Sequence, residues 1–148
     1  FATNTYHWFF LIQPFDFPER VIGADPEFFA RRGFDRTKDA GKVFTPEALE
    51  HYVSCFKDPG TIHAVCEDYR AGASIDLVHD EEDFDRKITC PMMALWSSTG
   101  YVGRTQDVLK VWGDYATDVR GHALPCGHYI AEELPDEAYT AIKGFLSE

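Results

Sequence analysis

Along its first half the chain repeats apolar residues at helical spacing and opens its segments with proline. Asp25-Pro26, Thr45-Pro46 and Asp58-Pro59 each put an N-cap residue before a proline at the first helical position. They introduce DPEFFARRG, TPEALEHYVSCF and DPGTIHAVCEDYRAGA, and the pattern predicts a helix in each. In the second, Ala48, Leu49, Tyr52, Val53 and Phe56 fall on one apolar face. A Pro-rich stretch, Gln13 to Arg20, is expected to cross between helices. The acidic run HDEED, His79 to Asp83, reads as a solvated, charged connection.

After about residue 86 the pattern changes. CPMMALW, Cys90 to Trp96, is a short continuous apolar run, the mark of a strand buried on both faces. A loop, SSTGYVG, follows it. TQDVLKVWGDYA then predicts a helix with Val108, Leu109, Val111 and Trp112 as packing positions, and DVRGHALP a second short strand. PCGHYIAEE reads as a turn running into a helix, and DEAYTAIKGFLSE as the closing helix. Two parallel strands with crossover helices cannot make a stable sheet alone, so they predict the tail of a larger doubly wound sheet. The fold class expected is therefore α/β: the C-terminal part of an α/β-hydrolase fold, with a helical cap at residues 1–75 and the end of the core at 76–148.

The composition narrows the partners. The chain has 148 residues, with 25 acidic against 14 basic side chains and a net charge of −11. That field repels a phosphate backbone, which argues against nucleic acid and anionic membrane surfaces. No apolar run reaches transmembrane length, and the aromatic opening FATNTYHWFFLIQPF lacks the basic start of a signal peptide. A chain that begins at Phe1 is read most simply as a processed or truncated polypeptide.

Four cysteines, Cys55, Cys66, Cys90 and Cys126, form no C-x-x-C, so reduced thiols in a cytoplasmic protein are expected. His63 and Cys66 are spaced to share a helix face, but buried inert residues explain them better than a metal pair. The HDEED run lacks the regular oxygen spacing and glycine turn of a cation loop. No metal and no cofactor is expected.

The strongest chemical signal is Pro125 to Glu133, PCGHYIAEE. It puts His128 in a glycine-turned loop directly after the last predicted strand, at the carboxyl edge where α/β active sites form. In α/β-hydrolases the catalytic histidine comes last in the triad order and occupies this loop. A surface or core histidine in a turn is the plainer alternative. Glu132 and Glu133 fall in the first turn of the following helix, where the helix dipole favours acidic residues without any catalytic role.

Four blocks carry a more specific resemblance: YHWFFLIQP (Tyr6 to Pro14), PERVIGADPEFF (Pro18 to Phe29), CEDYRAGASIDLVHD (Cys66 to Asp80) and PCGHYIAEE. In this order and at these separations the chain resembles the fluoroacetate/haloacetate dehalogenases. The resemblance implies an aspartate that displaces halide from the α-carbon of a haloacetate, and a histidine-activated water that hydrolyses the ester to glycolate. It puts the halide-binding donors on His7, Trp8 and Tyr69, and the water-activating base on His128. The family's nucleophile, triad acid and carboxylate-holding arginines have no counterpart in this chain, so the chain alone is expected to be inactive.

Donors suit the leaving ion because developing halide charge must meet preorganised N–H and O–H groups. Trp8, flanked by Phe9, Phe10 and Leu11, and Tyr69 both also fit ordinary core packing. The loop after the first predicted strand, SSTGYVGR, has no carboxylate. That departs from many α/β-hydrolases and agrees with the haloacetate group.

The expected partner is a small haloacid, and a homodimer of the full-length enzyme is compatible with the reading. An epoxide hydrolase of the same fold is the alternative, with Tyr52 and Tyr101 as further phenols. A non-catalytic helical module that binds a partner through its aromatic N-terminus is another.

Overall fold

A computed structural model describes residues 3, 5–34 and 43–148. The head of the aromatic opening (Phe1, Ala2 and Asn4) lies outside them. The chain divides into two compact units, residues 1–41 with 45–83 and residues 42–44 with 84–148.

The first unit is helical: α1 (Tyr6–Leu11), α2 (Phe17–Ala24), α3 (Pro26–Phe34), α4 (Pro46–Phe56), α5 (Pro59–Gly72) and α6 (Ile75–Asp83). The three proline-led starts are capped as their side chains allow. Asp25 Oδ1 accepts from the Phe28 N–H at 3.0 Å, Thr45 Oγ1 from Ala48 at 3.2 Å and Asp58 Oδ1 from Gly60 at 2.8 Å. Val53, on the predicted apolar face of α4, is fully buried. Leu11, Ile22, Ile62 and Cys66 form a core against which Phe10, Phe29, Phe56, Val65 and Tyr69 pack, so α1 and α2 both seat on α5.

Two expectations change here. The crossing predicted for Gln13 to Arg20 ends earlier, because Pro18 sits in the first turn of α2, where a missing N–H costs nothing. The turn is made instead by Phe15 and Asp16, both left-handed with φ of 63° and 58°, which leaves Phe15 93% exposed. HDEED is solvated and charged as expected, but it forms the last part of α6, a helix with no buried residue whose Asp76 lies in the first turn. The first compact unit ends with this helix, at Asp83.

The second unit runs β1 (Met92–Ser97), α7 (Tyr101–Thr105), α8 (Val108–Tyr115), β2 (Val119–Leu124), α9 (Ile130–Glu133) and α10 (Pro135–Leu146). The strands are parallel, with Met92 opposite Val119 and Ser97 opposite Leu124. Gly121 makes the pairing fit. Its φ is 153°, and a Cβ there would fall 1.8 Å from the Ala94 carbonyl oxygen on the neighbouring strand.

The loop predicted at SSTGYVG ends in a short helix from Tyr101. Of β1, expected to be buried on both faces, only Ala94 is buried, in a sheet where the strand has one neighbour. In α8, Val108 is 6% exposed while Leu109, Val111 and Trp112 remain 39–42% exposed. A two-stranded sheet is too narrow to cover more of that face. Among the described residues no helix is long and apolar enough to cross a membrane.

Candidate active site

The three residues proposed to bind halide meet in the first unit. The Trp8 and Tyr69 rings are 5.0 Å apart between centroids, in an edge-to-face arrangement. His7 lies 6.0 Å from Tyr69 and 6.3 Å from Trp8. Helical spacing produces this meeting. Leu11, buried against α5, follows His7 and Trp8 by four and three residues, so all three share one side of α1. Tyr69 lies three residues after buried Cys66 and seven after buried Ile62, on the face of α5 that receives α1. Trp8 is 50% exposed, whereas Tyr69 also packs on the core.

An ionic network fastens this arrangement. Arg70, next to Tyr69, donates to both Glu19 oxygens at 2.6 and 2.9 Å, in the two-pronged geometry that suits a guanidinium. It also donates to the Gln13 carbonyl from Nη2 at 2.6 Å and from Nε at 3.1 Å, and to Glu67 at 2.5 Å. One side chain on α5 therefore holds the chain just past α1 and the first turn of α2. Hydrogen bonding from Arg70 brings the Glu19 carboxyl down to about 2, although partial burial opposes the shift. The same bonds, to Glu19 first and Glu67 next, raise the Arg70 guanidinium above its usual range.

The His63–Cys66 spacing does not produce a pair. Cys66 is fully buried in the core, and burial pushes its thiol up to about 11, which keeps it protonated and inert. His63 is exposed, with Nδ1 at 3.3 Å from Glu19. Glu19, His63 and Glu67 bring potential metal-ligand atoms within 4.8 Å of one another. Arg70 already sits on both carboxylates, supplying the positive charge there.

In the second unit, the carboxyl ends of β1 and β2 build the histidine loop between them. Leu124 accepts from Ser98 N–H at 2.9 Å. The Ser97 and Thr99 hydroxyls both donate to the Cys126 carbonyl, at 2.6 and 2.7 Å. From the other side Glu133 folds back. Its Oε2 accepts from the Gly127 N–H at 2.5 Å, and its Oε1 from the Tyr129 N–H at 3.0 Å. Phe44 meets the Tyr129 ring edge-to-face at 4.8 Å. His128 stands exposed between these anchors, after the last strand, as its loop predicted.

The sequence reading gave Ser97, Thr99 and Glu133 no part in this. The glycine of PCGH was a usable signal for Glu133, because a Cβ at residue 127 would lie 2.7 Å from Glu133 Oε1.

A helical unit followed by two parallel β-α units, with a histidine loop at the carboxyl edge, is the C-terminal part of an α/β-hydrolase fold. Solved structures carry that assignment. An α/β-hydrolase-like protein of Nostoc sp PCC 7120 superposes with a TM-score of 0.92 at 52% identity, over 99% of this chain and 50% of that one. A Pseudomonas aeruginosa protein described as an epoxide hydrolase gives 0.89 at 41% identity, over 99% and 49%. In sequence, the chain is related over 99% of its length to a fluoroacetate dehalogenase of Burkholderia sp, at 38% identity. The chain spans about half the length of that curated relative. No protein-family model matches the chain.

Proposed function

We propose that this chain contributes the halide-binding donors and the hydrolytic base of a haloacetate dehalogenase. The observation that carries the reading is the clustering of His7, Trp8 and Tyr69, with centroids 5.0–6.3 Å apart. The kinship with a fluoroacetate dehalogenase supports it. An aspartate carboxylate supplied from outside this chain attacks the α-carbon, and the carbon–halogen pair leaves with the halide. His128 then takes a proton from water, the hydroxide attacks the ester carbonyl, and glycolate departs as the carboxylate is regenerated. The donors act in the first step and His128 in the second. Epoxide hydrolysis is the second reading, favoured by the Pseudomonas aeruginosa relative.

Leaving-group selectivity tests the donors. Trp8→Phe keeps most of the aromatic packing and removes the indole N–H; Tyr69→Phe removes only the hydroxyl. Each lost charge-assisted hydrogen bond costs roughly 1.5–3 kcal/mol, or roughly tenfold to a hundredfold in rate. In the whole protein that carries this chain, both variants should lose fluoroacetate activity far more than chloroacetate or bromoacetate activity. Equal losses on all three substrates point to damaged packing, and unchanged rates return both residues to the core. Diol formation from epoxides without halide release supports the second reading.

A further inference from the structure

We infer that Glu133 is a positioning residue for the His128 base, a role that rests on the function proposed above. Its two carboxylate oxygens take the two backbone N–H groups that flank His128, those of Gly127 and Tyr129. The residue before Gly127 is held as firmly, since Cys126 gives its carbonyl to the Ser97 and Thr99 hydroxyls. His128 therefore projects from a backbone fixed at 126, 127 and 129.

The carboxylate is half-buried rather than spread into solvent, as a helix-dipole role would leave it. It comes so close that a Cβ at residue 127 would lie 2.7 Å from Oε1 and push the carboxylate out of this position. A carboxylate is also the side chain that can accept at both oxygens. An amide in its place turns one acceptor into a donor that faces a backbone N–H. Water activation depends on the placement of the base, and an error of about 1 Å in a reacting group costs on the order of a hundredfold.

Only the step that uses His128 should therefore suffer when Glu133 is changed. In the whole protein, Glu133→Gln should leave the first turnover of halide release at its normal rate and slow steady-state turnover by roughly tenfold to a hundredfold. The aspartyl ester should accumulate, detected by mass spectrometry of the quenched protein. Glu133→Asp, which keeps the charge on a shorter arm, should recover part of the steady-state rate. Hydrogen exchange at the Gly127 and Tyr129 amides should speed up in Glu133→Gln without a general loss of protection.

A Glu133→Gln protein whose first turnover and steady state fall together overturns the proposal, because a structural defect does that. So does a protein with both rates unchanged. His128→Ala keeps the two claims separate. If it stalls at the ester while Glu133→Gln does not, the clamp is refuted and the base stands. If His128→Ala turns over normally, the function of the loop is refuted, and the amide exchange alone still reports whether the clamp exists.

Discussion

Replacing Glu19 with glutamine strips the charge from the network that ties α1 and α2 to α5 while keeping the side chain's shape. The magnitude follows from the carboxyl group. A fall from 4.5 to about 2 corresponds to about 3 kcal/mol of preference for the ionised, paired form. Glu19 and Arg70 side chains remain 13% and 19% exposed, and solvent screening reduces the net value to about 2 kcal/mol.

The sign is fixed by linkage. The folded pKa lies below the unfolded one, so the stabilisation is complete above about pH 4.5 and is lost as the pH falls toward about 2. The gap between the native protein and Glu19→Gln should be full at pH 7, with more than half of it gone by about pH 3. Because the network anchors the end of α1 through the Gln13 carbonyl, hydrogen exchange is the suitable assay. Amides of α1 and α2 should exchange roughly thirtyfold faster in the variant at neutral pH, the equivalent of about 2 kcal/mol of easier opening. Amides of the second unit should keep their native protection. Unchanged protection in α1, or a gap as large at pH 3 as at pH 7, refutes the reasoning.

Two further outcomes follow from the division of labour. His128→Ala in the whole protein should still alkylate, so mass spectrometry should find a trapped glycolyl ester on an aspartate outside this chain; normal turnover removes His128 from the mechanism. The 148-residue chain alone should release no fluoride from fluoroacetate above the uncatalysed rate, since one base cannot replace a missing covalent step. Fluoride release by the purified chain contradicts that assignment of the nucleophile.

Legibility in the sequence followed the range of the interactions. Helices α3, α4 and α5 were readable because an N-cap and a proline act within one turn of each start. The first strand was readable as a short apolar run, and the position of His128 from the glycine turn that follows the second. The turn at Phe15 and Asp16 was not, because an aspartate takes the left-handed region only occasionally and a phenylalanine gives no sign of it. Nor was Glu133, whose partners are set by how the loop folds back rather than by the helix it begins from. The packing of α8 was over-read: a sequence pattern marks residues able to be buried, and the sheet decides how many are.

The donor types bear on the choice between the two hydrolytic readings. Opening an epoxide leaves an alkoxide that must gain a proton, so its site needs a group able to give one up. A phenol can do that, and a protonated imidazole can. An indole N–H donates a hydrogen bond but has no accessible acid form at neutral pH. A halide leaves as a stable anion and asks only for donors that hold still. Trp8, meeting Tyr69 at 5.0 Å on a helix pinned by Arg70, is chemically idle toward an alkoxide's need for a proton and fully useful to a departing halide. Tyr69 and His7 in the same cluster can supply that proton, so the indole adds a donor that suits a halide without removing the groups an epoxide needs. The Trp8→Phe comparison across leaving groups, set beside diol formation, is the measurement that separates the two readings.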